Sequence, residues 1–153
     1  MKIAIVGYAG VGKTTLTKML NITGYKVVHV DEVVNSLYES ENIISNHIRS
    51  RFPCIVDGKI DKKILGNILL KNKYEREELE DLLHKEIFHP IICREENIIV
   101  DGVVPRFADY FDVCLFAYVN KEERQKRLRG RGVQEKRIKQ IMNVQKDWHK
   151  YLK

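Results

Sequence analysis

The residues that most clearly indicate chemistry form a glycine-rich segment near the N-terminus. From Gly7 to Thr14 the chain reads Gly-Tyr-Ala-Gly-Val-Gly-Lys-Thr, which fits the pattern G-x-x-x-x-G-K-[ST]. Glycines allow backbone N–H groups to turn around phosphate oxygens, and the N-terminus of a following helix adds a partial positive charge. The pattern predicts a loop that binds a nucleoside triphosphate. The residues expected to bind it here are Gly10, Val11, Gly12, Lys13, Thr14 and Thr15. A tight glycine turn without a ligand is the alternative.

Three groups are expected near the phosphates and the metal ion. Lys13 would reach the β- and γ-phosphates and act as a catalytic residue, and the Thr14 hydroxyl would ligate Mg²⁺. Asp101 ends the predicted strand 97–101, directly after the apolar residues 98–100. A carboxylate at the end of a buried strand is the Walker-B arrangement, near Mg²⁺ or its waters. We therefore expect Thr14 and Asp101 to form the metal site.

These residues need a parallel sheet to bring them together. Apolar, β-branched runs predict strands at 2–6, 26–30, 97–101 and 113–119, and the segments between them show helical spacing. In an open parallel sheet, ligands bind beyond the carboxyl ends of the strands. Gly7 and Asp31 both follow such ends. Asp31 is therefore a candidate general base, with the N-cap of a helix over 32–39 as its alternative role.

Two other features have a structural and a chemical interpretation. His84 lies beside the apolar stripe of a helix that begins near Tyr74, where a lone histidine is more often structural. Arginines then recur after the fourth strand: Arg124, Arg127, Arg129 and Arg131. They form either a solvated helical face or a lid that stabilises charge on a transferred phosphoryl group, and the nearby glycines favour the lid.

Composition limits the class of protein. The 153 residues suit one domain with an ordinary hydrophobic content, and no apolar run approaches the length of a membrane span. Three scattered cysteines, without a C-x-x-C pair, favour reduced thiols, and the N-terminus reads as a strand instead of a signal peptide. We therefore expect a cytoplasmic protein with no membrane partner.

Charge is concentrated toward the C-terminus. Residues 121–153 contain twelve Lys and Arg against four Asp and Glu, a net charge of +8, so the rest of the chain is slightly acidic. A basic third of the chain next to a phosphate loop suggests a polyanionic small-molecule substrate. Nucleic acid is the competing partner, but aromatic interleaving and a nucleic-acid motif are both missing from the sequence.

Taken in order, the motifs resemble those of the dephospho-CoA kinase family. Residues 28–34 resemble the family's D-A-D-x-[IV] segment, with its second aspartate at Asp31 and His29 in place of the first. Residues 57–62 resemble D-G-x-[IL]-[DN]-R, and residues 79–84 resemble the more specific L-E-x-[IL]-x-H-P, with Lys85 for the proline. Arg127, Arg131 and Gln145 match the lid arginines and the glutamine after them.

The resemblance implies ATP-dependent phosphorylation of the ribose 3′-hydroxyl of dephospho-CoA to give coenzyme A, with ATP and Mg²⁺ as cofactors. Asp31 would be the catalytic base and Arg127 the catalytic lid arginine, while Arg131 would contact ATP. Asp31, His84 and Arg106 would bind the acceptor. The oligomeric state stays open.

Two departures leave other functions open. The family's P-L-L-F-E becomes the segment 105–109, and Asp101-Gly102 with Pro105-Arg106 is similar to the D-G-F-P-R of adenylate kinases. The chain also ends at Lys153, where the family continues with a fifth strand and a helix that help to hold adenine. A nucleoside monophosphate kinase and a degenerate, non-catalytic nucleotide-binding module are the alternatives.

The expected fold is a three-layer α/β/α P-loop NTPase fold. Its parallel sheet would have about four strands in the order 2-3-1-4, numbering these four along the chain. We expect a single domain over 1–153, with a core at 1–31 and 97–120. A helical substrate-binding region would cover about 32–96, and the lid and C-terminal helix about 121–153.

Overall fold

The computed structural model describes residues 1–20 and 23–151. The chain divides into two compact units, one formed by Met1–Val30 with Glu95–Lys153 and the other by Asp31–Arg94. The predicted ends of the lid region, residues 152 and 153, lie outside the described residues, as do residues 21 and 22.

The first unit is built on a four-stranded parallel sheet. Its strands are β1 (Lys2–Gly7), β2 (Lys26–His29), β5 (Ile98–Asp101) and β6 (Val113–Ala117). They lie in the order β2-β5-β1-β6, with every described pairing parallel. Counted along the chain without the small hairpin described below, this is the order 2-3-1-4, so the predicted topology is confirmed.

Burial explains the composition of the central strands. Ile5 and Val6 of β1 and Ile98 and Ile99 of β5 are fully buried, as expected for inner strands covered on both faces. The helices of this unit are α1 (Lys13–Met19), α7 (Lys121–Gly130) and α8 (Glu135–Val144), with 3₁₀ turns at Pro105–Tyr110 and Trp148–Tyr151. Leu16 and Leu20 pack against the core residues Ile3, Ile5 and Ile99.

The second unit is mainly helical. It contains α2 (Val30–Glu39, whose first residue belongs to the first unit), α3 (Ile43–Arg51), α4 (Lys62–Lys71), α5 (Lys73–Leu83) and α6 (His89–Arg94). Local sequence sets the helix starts, because Asn42 caps α3 with a reciprocal Ser45 bond and the Asp61 carboxylate accepts from two N–H groups of α4. The buried core of this unit includes Ile44, Ile48, Leu65 and Leu79.

The structure corrects two local expectations for this unit. The stretch from Pro53 to Gly58 has the residues of a loop, but it contains part of an antiparallel hairpin of β3 (Ile55–Val56) and β4 (Lys59–Ile60). Asp57 and Gly58 both have positive φ, which suits the two-residue turn of a hairpin. The helix predicted at 32–39 begins at Val30, so Asp31 lies in its first turn instead of capping it.

A proline inside a helix kinks or ends it, and the helical path continues past Pro90. The five residues before α6, His84–Phe88, form a π-helical segment, and α6 then runs on to Arg94. A proline cannot donate to the carbonyl four residues before it and crowds that group. Widening the preceding turn to π-helical spacing accommodates the missing bond, so the helical path continues.

Candidate active site

The segment Gly7 to Thr14 forms the connection from β1 to α1, so the predicted order of strand, glycine loop and helix is present. Gly12 precedes the helix in the left-handed conformation, with φ 94° and ψ 28°. No side chain caps the helix there, and its first turn contains no acidic residue. The first N–H groups of α1, at the positive end of the helix dipole, are therefore available to bind an anion.

Lys13 is held against the loop by the loop itself. Its Nζ donates to the carbonyl oxygens of Gly7 at 2.9 Å and Tyr8 at 3.2 Å. Thr14 and Thr15 follow it on the first turn of α1, and both side chains are exposed. An ammonium and two hydroxyls thus lie at the start of the helix, where phosphate and metal ligands are needed.

Asp101 lies at the carboxyl end of β5, in register with Ile5 of β1. Only 5% of its side chain is exposed, and its Oδ2 lies 3.1 Å from Nδ1 of His29. Its Oδ1 is buried and has no hydrogen-bond partner among the residues that the structure describes. A carboxylate oxygen in that state fits a ligand such as hydrated Mg²⁺.

Thr14, the second predicted metal ligand, lies in the same unit as Asp101. Within residues 1–20 and 23–151, no group of three or more His, Cys, Asp or Glu side chains could hold a metal ion. This donor set fits Mg²⁺, which usually binds through one or two protein oxygens together with substrate phosphates and water.

The structure brings Arg127 to the phosphate loop. Its Nη1 donates to the carbonyl oxygen of Val11 at 2.9 Å, and its Nε donates to Glu123 at 2.7 Å. The hydrogen bond from Arg127 holds the pKa of the Glu123 carboxyl below its usual value. Arg131, the other predicted lid arginine, is exposed directly after α7.

Arg124 packs closely on the loop, although sequence reasoning gave it no separate role. Its side chain is buried, with the guanidinium 4.1 Å from the centre of the Tyr8 ring. Its Nη2 donates to Gln145 Oε1 at 3.2 Å, and Ala9 N donates to the same oxygen at 2.9 Å. Burial lowers the pKa of Arg124 from its ordinary value. The arginine run signalled this residue, but the sequence gives no indication of which arginine faces inward.

Aromatic contacts extend the same cluster to the end of the described chain. Tyr8 stacks on Trp148 with ring centres 6.3 Å apart and meets Phe116 of β6 edge to face at 5.3 Å. The loop is therefore joined to α7, β6 and the residues after α8. Arg106 lies on the 3₁₀ turn Pro105–Tyr110, where its guanidinium is 4.2 Å from the Phe107 ring centre.

The remaining predicted site residues, Asp31 and His84, belong to the second unit. Asp31 is exposed in the first turn of α2. Burial, with smaller contributions from the charges of Cys54 and Asp31, raises the pKa of Tyr38 to about 12. His84 is buried in the π-helical segment, and its ring centre lies 6.0 Å from that of His89. The roles of Asp31 and His84 stay predictions.

No helix in the described part of the chain is both long and apolar enough to cross a membrane. The sheet and the loop also match a solved fold. A crystal structure of a Thermus thermophilus protein superimposes with a TM-score of 0.71 and 21% identity, over 93% of this chain and 78% of that one. At this identity the likeness supports the fold alone.

Sequence relatives carry the comparison further. A dephospho-CoA kinase of Wolbachia pipientis is 26% identical over 159 residues, which cover 95% of this chain and 80% of the relative. A dephospho-CoA kinase of Fusobacterium nucleatum is 25% identical over 167 residues, covering 91% of this chain and 86% of the relative. The family model described as "Dephospho-CoA kinase" matches residues 1–153. The chain belongs to the dephospho-CoA kinase family.

Proposed function

We propose that this chain transfers the γ-phosphoryl group of ATP to the ribose 3′-hydroxyl of dephospho-CoA, giving coenzyme A and ADP. The observation that carries the proposal is the family match along all 153 residues. It makes the chain a kinase that acts on a small-molecule nucleotide. The uncapped start of α1 after Gly12, with Lys13 and Arg127 on the same loop, supports the donor half of this reaction.

In this proposal, the first turn of α1 and the loop N–H groups bind the β- and γ-phosphates, and Gly10, Val11 and Gly12 supply the close backbone approach. Lys13 neutralises negative charge on those oxygens. To do so, its Nζ exchanges the carbonyl oxygens of Gly7 and Tyr8 for phosphate oxygens. Thr15 and Arg131 add contacts to the nucleotide.

Thr14 and Asp101 are the residues that would hold Mg²⁺. Held there, Mg²⁺ would supply positive charge that offsets the negative charge developing on the phosphate oxygens during transfer. The unpartnered buried oxygen of Asp101 and the exposed hydroxyl of Thr14 support this assignment.

Four residues are assigned to the acceptor and to the transferring phosphoryl group. Asp31 orients the 3′-hydroxyl and accepts its proton as the hydroxyl oxygen attacks the γ-phosphorus. Arg127 stabilises the charge of the transferring group, and its place on the loop at Val11 supports that role. His84 and Arg106 bind the acceptor. We place this activity in the cytoplasm.

A coupled ADP-release assay tests the acceptor. The purified chain is supplied with ATP and Mg²⁺, and separately with dephospho-CoA, AMP, CMP, dTMP or no acceptor. We expect ADP release only with dephospho-CoA. Release with a monophosphate would instead support a nucleoside monophosphate kinase, which the segment Asp101-Gly102 with Pro105-Arg106 favours as the second candidate. ATP binding without acceptor-dependent release would contradict both activities.

A further inference from the structure

The pairing of β2 with β5 places two polar side chains opposite each other where the strands end. His29 is the register partner of Asp101. The imidazole Nδ1 and the carboxylate Oδ2 are 3.1 Å apart. Carboxylate oxygens accept hydrogen bonds, so we assign the donor of this contact to Nδ1 of His29. The bond therefore occupies one specified oxygen of Asp101.

The hydrogen bond between His29 and Asp101 is shielded from water, and the other carboxylate oxygen, Oδ1, is buried as well. The Asp101 side chain is 5% exposed and that of His29 is 22% exposed, so little water competes for the pair. Oδ1 has no partner within residues 1–20 and 23–151. A buried carboxylate oxygen without a protein partner is rare, and the usual partner in such a place is a ligand or an ordered water.

The terminal torsion of an aspartate side chain is soft, so an aspartate held at neither oxygen samples a broad range of orientations. A donor fixed to Oδ2 removes that freedom. His29 can act as such a donor because β2 ends at it and the parallel register holds its backbone opposite Asp101. The same logic governs partners that orient metal ligands in proteins, where their loss commonly weakens metal binding 10- to 100-fold.

We propose that His29 is a positioning residue for Asp101: by donating to Oδ2, it presents Oδ1 as the single carboxylate oxygen that meets the hydrated Mg²⁺ of bound ATP. The proposal rests on the assignment of Asp101 to the metal under the proposed function. Position 29 is also where this chain departs from the family segment that residues 28–34 resemble, which has an aspartate there.

Calorimetric titration tests it without turnover. ATP is titrated into the full chain in the absence of any acceptor, once with Mn²⁺, which replaces Mg²⁺, and once without a divalent metal. The ratio of the two dissociation constants for ATP measures the metal contribution. His29→Leu removes the donor, and His29→Asn keeps a donor near the position of Nδ1. We expect His29→Leu to reduce the metal contribution about tenfold and His29→Asn to stay within about threefold of the parent.

Three controls make the outcome decisive. The dissociation constant for ATP without metal should be the same in all variants, because the bond acts on the metal ligand alone. His47→Leu removes another half-buried imidazole, on α3 of the second unit, and should leave the metal contribution unchanged. In an Asp101→Asn background, His29→Leu should have no further effect, because the oxygen that it orients is no longer a carboxylate.

A parental metal contribution in His29→Leu would overturn the proposal, and so would a loss in His29→Asn equal to that in His29→Leu, since packing alone would then explain it. These outcomes are independent of the acceptor. An ADP-release assay that failed with dephospho-CoA would contradict the proposed function and leave the Mn²⁺ result standing.

Discussion

At the scale of single residues, two of the proposed site residues are hydrogen-bonded to the glycine loop, while the role of Asp31 rests on the proposed reaction. Lys13 bonds the carbonyl oxygens of Gly7 and Tyr8, and Arg127 bonds that of Val11. Both cations are thus kept beside the segment expected to bind phosphate. Asp31 is exposed on α2 in the other unit. Its proposed role as general base is therefore tested by steady-state kinetics.

Asp31→Asn tests the general base. The amide has the size of the carboxylate but cannot accept the hydroxyl proton as readily, so we expect kcat to fall about 10²- to 10⁴-fold. ATP affinity should stay near the parental value, because the phosphate loop is unchanged. The measurement is steady-state ADP release at saturating dephospho-CoA, with ATP binding followed by calorimetry. Near-parental turnover would remove Asp31 from the reaction.

Arg127→Ala tests transition-state stabilisation. An arginine that meets the transferring group can contribute about 10³-fold or more to kcat, while its contribution to acceptor binding is smaller. We expect kcat to fall much more than the KM for dephospho-CoA rises. The exposed Lys126→Ala, on the same helix, is the matched control and should change neither constant. Equal effects of Arg127→Ala on kcat and KM would indicate simple binding.

At the scale of elements, the loop is fixed by close contacts with its neighbours. Gly7 has φ +151°, and a Cβ built there would lie 2.6 Å from the backbone oxygen of Ala117 in β6. Gly10 allows a similar approach, because a Cβ there would lie 3.0 Å from the backbone oxygen of Arg124 in α7. Glycine at these two positions therefore lets the strand and the arginine helix pack directly on the loop.

Gly7→Ala should destabilise the protein by more than about 2 kcal/mol, since both an unfavourable φ and a backbone clash must be relieved. Gly24→Ala is the control, because Gly24 also has positive φ but no atom within 4 Å of a built Cβ. Strain alone predicts a loss of about 1 kcal/mol there. Urea unfolding of both variants measures the difference. Equal losses would show that the contact with Ala117 does not constrain the loop.

Sequence patterns predicted the helices and strands well where a single physical rule determines them. The four strands of the parallel sheet are short apolar runs, of which the inner strands β1 and β5 are buried, and their order follows from the fold that the phosphate loop indicates. The hairpin around Asp57-Gly58 was missed because each of its strands has only two residues. The π-helical segment before Pro90 was missed because the choice between ending a helix and widening a turn depends on packing.

The site residues stay predictions, and they rest on a similar rule. The residue types and spacing of the loop are those of a phosphate-binding loop, which is why Lys13 and Thr14 are proposed as phosphate and metal ligands. Spacing could not show that Arg124 turns inward onto Tyr8, since four arginines in the run have the same chemistry. It also could not show the bond between His29 and Asp101, because that contact joins strands 72 residues apart.

At the scale of the whole molecule, the chain is a member of the dephospho-CoA kinase family that divides into two compact units. The first unit contains the glycine loop, Asp101, Arg127 and Arg131, and the second contains Asp31 and His84. The net charge of +8 over residues 121–153 suits a substrate pair that carries several phosphates. The expected single-domain organisation stays a prediction.

The proposed reaction is tested by the identity of its product. The chain, ATP, Mg²⁺ and dephospho-CoA are incubated together, and the nucleotide product is identified by mass spectrometry and phosphorus NMR, with Lys13→Ala as the inactive control. We predict one coenzyme A, bearing a new 3′-phosphomonoester, for each ADP released. A phosphate at another position, or ADP formed without any coenzyme A, would contradict the account.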